Sequence, residues 1–259
     1  MSRNGHKRRP PLPAALTRHV EMRAFDMRMG ELVEPHYHDW GQFTYSAEGV
    51  MTVLTEDGRF TAPPAMAVWL PPGVVHHIRT IGPAKFRSLY VSSGNLDGMP
   101  DRTTVLSVDP LLRQLILAAA DIPRDWDEDG PEGRLMSVLM DRIRVAPTAK
   151  LHLPLPADSR LRGVTDALLA DPSDRRTLDD FAKTTGAAAR TLARLFVAET
   201  GMSFGEWRRQ RVLLAALERL GDGMPVTSVA LDLGYDSPSA FIAMFRRHFG
   251  ETPTRYMQV

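Results

Sequence analysis

The sequence predicts a multi-domain protein: a mainly β N-terminal barrel followed by an all-α C-terminal domain with two helix-turn-helix units. Three observations carry this reading. The chain has 259 residues, enough for two domains that each bury a core. Short apolar runs broken by glycine and proline fill its first third. From Arg160 onward the apolar period is helical, and one pattern of alanine, glycine and aromatic residues occurs twice.

Hydrophobic residues make up 43% and charged residues 24% of the chain, a globular balance rather than a disordered one. Net charge is +1, and acids and bases nearly balance on either side of Arg160. There is no global basic field, so any case for a nucleic-acid partner rests on where charges sit. The sequence has no cysteine, which excludes disulfides and thiolate metal sites and fits a cytoplasmic setting. No apolar run approaches the roughly 18 residues of a membrane span. At the start, Lys7, Arg8 and Arg9 are followed by Pro10, Pro11 and Pro13 where a signal peptide would carry its apolar core. Residues 1–16 are read as a disordered basic arm.

Residues 17–100 read as the barrel. Gln42–Tyr45, Val50–Thr55, Ala67–Leu70 and Phe86–Val91 are strand-like runs, with a hairpin tip at Glu56-Asp57-Gly58 and breaks at Pro63-Pro64 and Pro71-Pro72-Gly73. Regular short strands of this kind suggest an antiparallel barrel or jelly roll. Trp40, Phe43, Tyr45, Trp69 and Tyr90 are candidates to line a pocket for a small, partly apolar effector, or else are barrel core.

Residues 101–150 read as a helical hairpin. Leu111, Leu112, Leu115 and Ile116, then Leu135, Val138, Leu139 and Ile143, recur at helical spacing on either side of the acidic loop Asp121–Pro131. Its apolar stripes either pack on the barrel or pair with a second copy; dimerisation is the use expected. Residues 151–160, with His-Leu-Pro-Leu-Pro at His152–Pro156, read as a semi-rigid linker.

In residues 161–259 the helix caps are legible. Thr177 with Asp180, and Ser203 with Glu206, have capping-box spacing. Ser237-Pro238 sets an N-cap before a proline at the first helical position. Gly186, Gly201, Gly221, Gly234 and Gly250 stand where helices should stop.

The repeat aligns Phe181-Ala182 … Gly186 … Leu192 … Leu195-Phe196 … Gly201 with Val229-Ala230 … Gly234 … Phe241 … Met244-Phe245 … Gly250. The small alanine lets two helices cross closely. Glycine supplies the left-handed turn, and apolar residues on the second helix lock it steeply against the first. That second helix turns its other face to solvent, as a major-groove reader must. In the first unit this face carries Arg190, Thr191 and Arg194, and arginine bonds guanine bidentately. In the second it carries Pro238, Ser239, Ala240 and Ala243, with Arg246, Arg247 and His248 near the end. Base specificity is therefore expected mainly from the first unit, with Ser239, Arg246 and Arg247 holding phosphate. Ser203–Leu220, read as one helix, would space the two readers about one DNA turn, roughly 34 Å, apart. Arg208, Arg209 and Arg211 supply its charge.

Ala189–Phe196, Glu199–Phe204, Gly234–Phe241 and Phe245-Arg246-Arg247 … Gly250 … Thr252-Pro253 … Tyr256 resemble the AraC/XylS family of bacterial transcription regulators. The likeness runs continuously over about 85 residues. It implies seven helices and two helix-turn-helix units reading successive major grooves of double-stranded DNA. By that resemblance, Arg190, Ala193 and Arg194 match the first helix's contact positions, and Pro238, Ser239, Ala240 and Ala243 the second's. Ala193, Ala240 and Ala243 depart from readers with longer polar groups.

His36-Tyr37-His38 places two imidazoles on one side of an extended strand. With Gln42, Gly49 and Pro71-Pro72-Gly73-Val74-Val75-His76, it resembles the two cupin motifs, although Thr80 replaces the final asparagine. The resemblance implies a cupin-like barrel able to hold a divalent metal through His36, His38, Gln42 and His76, with His77 on the opposite face. No cofactor is required by the sequence. Gln42 stands where many metal cupins carry glutamate, so the donors would be uncharged and would hold a dication more weakly. Ala67–His76 further resembles a branch of the regulator family associated with control of neighbouring transporter genes.

The reading is a homodimeric, effector-controlled transcription regulator, with RNA polymerase as a possible further partner, no membrane partner and no enzymatic activity. The alternatives are a metal-dependent cupin enzyme and a constitutive DNA-binding protein whose barrel only dimerises.

Overall fold

The computed structural model describes residues 7–9, 12–13, 15–80 and 82–257. The remainder of the arm expected over residues 1–16 lies outside them. The chain forms two compact units, one taking most of the sequence up to His152, the other Leu153–Tyr256 together with Glu56–Arg59.

The first unit is a barrel of two sheets. Its strands are β1 (Lys7–Arg8), β2 (Val20–Met27), β3 (Leu32–His36), β4 (Gly41–Ser46), β5 (Met51–Thr55), β6 (Gly58–Ala62), β7 (Met66–Leu70), β8 (His76–Thr80), β9 (Ala84–Val91) and β10 (Thr104–Ser107), with β11 (His152–Pro154) at the boundary between the two residue ranges. One sheet runs β1-β3-β8-β5-β6-β11, the other β10-β7-β4-β9-β2. The pairs β2–β9, β3–β8, β4–β7, β4–β9, β5–β8 and β7–β10 are antiparallel.

Strand β4 explains the layering. Its side chains alternate, and both faces are buried. Gln42, Thr44 and Ser46 share one face; Thr44 Oγ1 reaches Met51 Sδ of the other sheet at 3.8 Å. Phe43 and Tyr45 take the opposite face. Phe43 pairs with Trp69 on β7 and Leu89 on β9. That face meets two helices, α1 (Pro110–Ala120) and α2 (Pro131–Arg144). Leu112, Ile116, Leu139 and Ile143 join Phe43, Tyr45 and Trp69 in one buried cluster. The helical hairpin's inner stripe thus packs on the barrel, while Leu111 and Val138 remain exposed on its outside.

Several boundaries differ from the sequence reading. Lys7–Arg8 form a strand parallel to β3, with Lys7 opposite Leu32, so this stretch of the arm is ordered by main-chain pairing. Thr104–Ser107, placed in the helical hairpin, is a sheet strand pairing with β7. Within the expected linker, Leu151 and Leu153 are buried and His152–Pro154 is extended in the sheet.

The second unit contains α3 (Ser159–Ala170), α4 (Leu178–Thr185), α5 (Ala189–Thr200), α6 (Phe204–Gly221), α7 (Val226–Asp232), α8 (Pro238–Phe249) and α9 (Pro253–Tyr256). Thr177 and Ser203 both form full capping boxes with Asp180 and Glu206, and the Ser237 side chain accepts from the Ala240 amide. Gly186, Gly201 and Gly250 close their helices in the left-handed conformation. α6 ends at Gly221, its last helical residue, and the left-handed conformation follows at Gly223.

Leu192 and Phe196 in α5, and Phe241 and Phe245 in α8, have no exposed surface. They stand four residues apart in each helix, so one face of each is fixed in the core and the other is left outward. Phe196 packs on Phe204 and Trp207 of α6, with centroids 5.3 and 6.1 Å away. The Trp207 indole N–H donates to the Pro154 carbonyl at 2.7 Å.

Candidate nucleic-acid interface and histidine centre

On α5 the outward face carries Arg190, Ala193 and Arg194, all exposed, with Thr191 half-buried. No ion pair holds either arginine among the described residues, so both guanidinium groups can meet a ligand. On α8, Ser239, Ala240, Ala243, Arg246 and Arg247 are exposed and Pro238 is half-buried. Ser239, Ala243, Arg246, Arg247 and Thr252 line one open surface concavity. Both helices thus present every residue that the repeat pattern selected. Arg211 is different. It is buried, 3.5 Å from Glu218, and donates to the Leu169 carbonyl at 3.2 Å, so it braces α6 rather than charging its surface.

One contact was not anticipated. Arg175, in the loop before α4, donates to the Gly234 carbonyl and lies 3.7 Å from Asp236. Its partners are in the turn of the second helix-turn-helix unit. No local pattern marks such a pairing.

In the barrel, β3 and β8 bring His36 and His76 into register as direct neighbours. The Gly73 amide donates to the His38 carbonyl at 2.9 Å, tying together the two segments that carry the histidines. Gly73 sits at φ +79°, a conformation glycine adopts without strain. The Nδ1 atoms of His36, His38 and His76 lie 2.8, 2.7 and 2.9 Å from the carbonyl oxygens of Glu34, Trp40 and Val74. A carbonyl only accepts, so each Nδ1 carries a proton, and in the neutral ring Nε2 keeps its lone pair. Burial pushes all three imidazoles below the ordinary histidine range, His76 down to about 3.

One ligand nitrogen from each histidine falls within 4.8 Å of the others. The Nε2 of His76 is buried and has no hydrogen-bond partner. Gln42 Oε1 lies 2.8 Å from His38 Nε2, and its amide nitrogen donates to Ser88 Oγ at 3.2 Å. Two lone pairs facing at that distance repel unless a cation shares them or the amide turns its NH₂ inward. Three imidazoles and an amide oxygen therefore fit a divalent transition ion.

The five aromatic pocket candidates separate. The Trp40 ring stacks on His38 with centroids 5.2 Å apart, and Tyr90 lies 6.0 Å from each of them. Phe43, Tyr45 and Trp69 do not line the barrel interior. They face α1 and α2 as core, because β4 turns its polar side chains inward.

A family model for an AraC-like ligand binding domain matches residues 19–161, more than half of the chain. A helix-turn-helix domain model matches residues 181–258. The chain belongs to the AraC family of transcription regulators. It is similar to the HTH-type transcriptional regulator NimR of Escherichia coli K12, with 36% identity over 228 residues, 88% of this chain and 83% of NimR. It is also similar to RipA of Corynebacterium glutamicum, 38% over 103 residues (40% of this chain, 31% of RipA). The regulatory protein SoxS of Salmonella typhimurium matches at 41% over 80 residues, 30% of this chain and 75% of SoxS. As an AraC-family protein the chain is a DNA-binding transcription regulator with an N-terminal ligand-binding domain. No helix of the described residues is long and apolar enough to cross a membrane.

Proposed function

We propose that this protein is a cytoplasmic, homodimeric regulator whose barrel binds a small-molecule effector and biases operator binding, repressing a neighbouring transporter gene. The observation that carries the reading is the pairing of two helices, each anchored by buried residues four apart, each with an outward face bearing arginine or serine. Arg190 and Arg194 read base edges. Ser239, Arg246 and Arg247 hold phosphate, and the exposed Leu111 and Val138 supply the dimer stripe. The histidine centre also suits a metal-dependent cupin enzyme, but catalysis gives no reason for two matched recognition helices.

Gel shifts on the protein's own upstream region, with and without candidate effectors at two salt concentrations, test the reading. Specific retardation that an effector changes supports it. Equal affinity for operator and random duplex would overturn sequence-specific binding. An operator affinity that no metabolite alters would favour a constitutive binder.

A further inference from the structure

Three buried polar atoms on His76 and on two residues beside the histidine centre have no partner in the protein: His76 Nε2, Trp40 Nε1 and Thr55 Oγ1. His76 is fully buried. Thr55 is its cross-strand neighbour and shares its face of the sheet. Trp40 stacks on His38. Buried polar groups are nearly always satisfied, so three unsatisfied atoms on neighbouring residues leave a bound polar group something to satisfy. They are also chemically distinct. His76 Nε2 is a bare lone pair that wants a cation, whereas the Trp40 indole N–H is a donor that wants an acceptor.

The charges sharpen this. Among the described residues, the cluster of potential ligands at this point is His36, His38 and His76, with no carboxylate. Gln42 adds only a neutral oxygen. A dication held by four neutral donors keeps its whole charge inside the barrel, and a buried charge without compensation is costly. An anionic co-ligand supplies that compensation.

We propose that His36, His38, His76 and Gln42 hold a divalent transition ion whose co-ligand is a small carboxylate-bearing anion, placed to accept a hydrogen bond from Trp40 Nε1. This names the chemical class of effector for the barrel and rests on the reading that the barrel receives one. The anion neutralises the ion and satisfies the indole donor; the ion gives the anion a partner that the neutral side chains cannot. Gln42 is the residue that makes the site depend on an added anion, because glutamate there would supply the charge from within.

The experiment uses the full chain without a histidine tag, Co²⁺ as the metal and oxalate as the anion. Visible absorption of Co²⁺ reports coordination directly and needs no DNA. One equivalent of Co²⁺ is expected to bind, with the spectrum lost in His76→Ala, and oxalate is expected to shift the band. Gln42→Glu is expected to bind Co²⁺ at least about tenfold more tightly and oxalate at least about tenfold more weakly. Trp40→Phe, which keeps the ring and removes the donor, is expected to weaken oxalate several-fold. Less than about a tenth of an equivalent of Co²⁺, or a band that oxalate leaves unmoved, would overturn the proposal. Gln42→Glu is nearly isosteric, so its gain in affinity decides the matter even if His76→Ala fails to fold. If the oxalate shift is seen but Co²⁺ with oxalate leaves operator affinity unchanged, the site stands and effector control of DNA binding falls.

Discussion

Arg175 and Asp236 face each other at 3.7 Å across the two helix-turn-helix units, with the same guanidinium donating to the Gly234 carbonyl. Both side chains are well exposed, so the ion pair itself contributes at most about 1 kcal/mol to stability. Its effect is positional, because it joins the approach to the first unit to the turn of the second. Arg175→Ala is expected to leave thermal unfolding nearly unchanged and to weaken binding to a full operator several-fold. Binding to a single half-site should not change. Gel shifts on full and half operators check this, and equal losses on both would refute it.

Arg190→Ala and Arg194→Ala are each expected to cost about 1–3 kcal/mol of discrimination against the wrong base. Arg246→Ala should weaken binding alike on operator and random duplex and lower the salt slope by about 1. Binding isotherms at several salt concentrations separate the two behaviours.

Gly41 is the tight spot of the barrel. A Cβ built there would lie 2.2 Å from the Trp69 ring, and Trp69 is itself fixed by its indole bond to the Pro100 carbonyl at 2.8 Å. Gly41→Ala is expected to cost about 1–3 kcal/mol through overpacking, read as a lower denaturation midpoint.

The Thr177–Asp180 capping box should make α4 sensitive to acid. The Thr177 amide and hydroxyl, with Lys183, hold the Asp180 carboxyl well below the usual carboxylate range. A depressed carboxylate stabilises the fold above its unfolded value, and this contribution fades as pH falls through and below the ordinary carboxylate range. Amide chemical shifts of α4 followed through acid titration should show it, and Asp180→Asn should remove the pH dependence.

Features set by neighbours in sequence were legible before the structure. Thr177, Ser203 and Ser237 cap their own helices, and the buried pairs Leu192/Phe196 and Phe241/Phe245 follow from helical spacing. The histidine set was legible because its two motifs are short and regular. What stayed hidden depends on distant partners. Nothing local says that β4 points Gln42 and Thr44 inward and Phe43 and Tyr45 toward helices more than sixty residues away. The same holds for Arg211, whose burial depends on Glu218 and the Leu169 carbonyl together, and for Lys7–Arg8, whose order comes from pairing with Leu32 and Val33.

Ala240 and Ala243 present only methyl groups on the outward side of α8, and the one base-edge feature a methyl can match is the thymine methyl. An aligned set of this regulator's target sites should accordingly be lopsided. Conserved letters would crowd the half beneath α5, while the other half drifts freely so long as its backbone can be gripped. New promoters could then come under control by acquiring half a motif, which widens the set of genes that mutation can recruit.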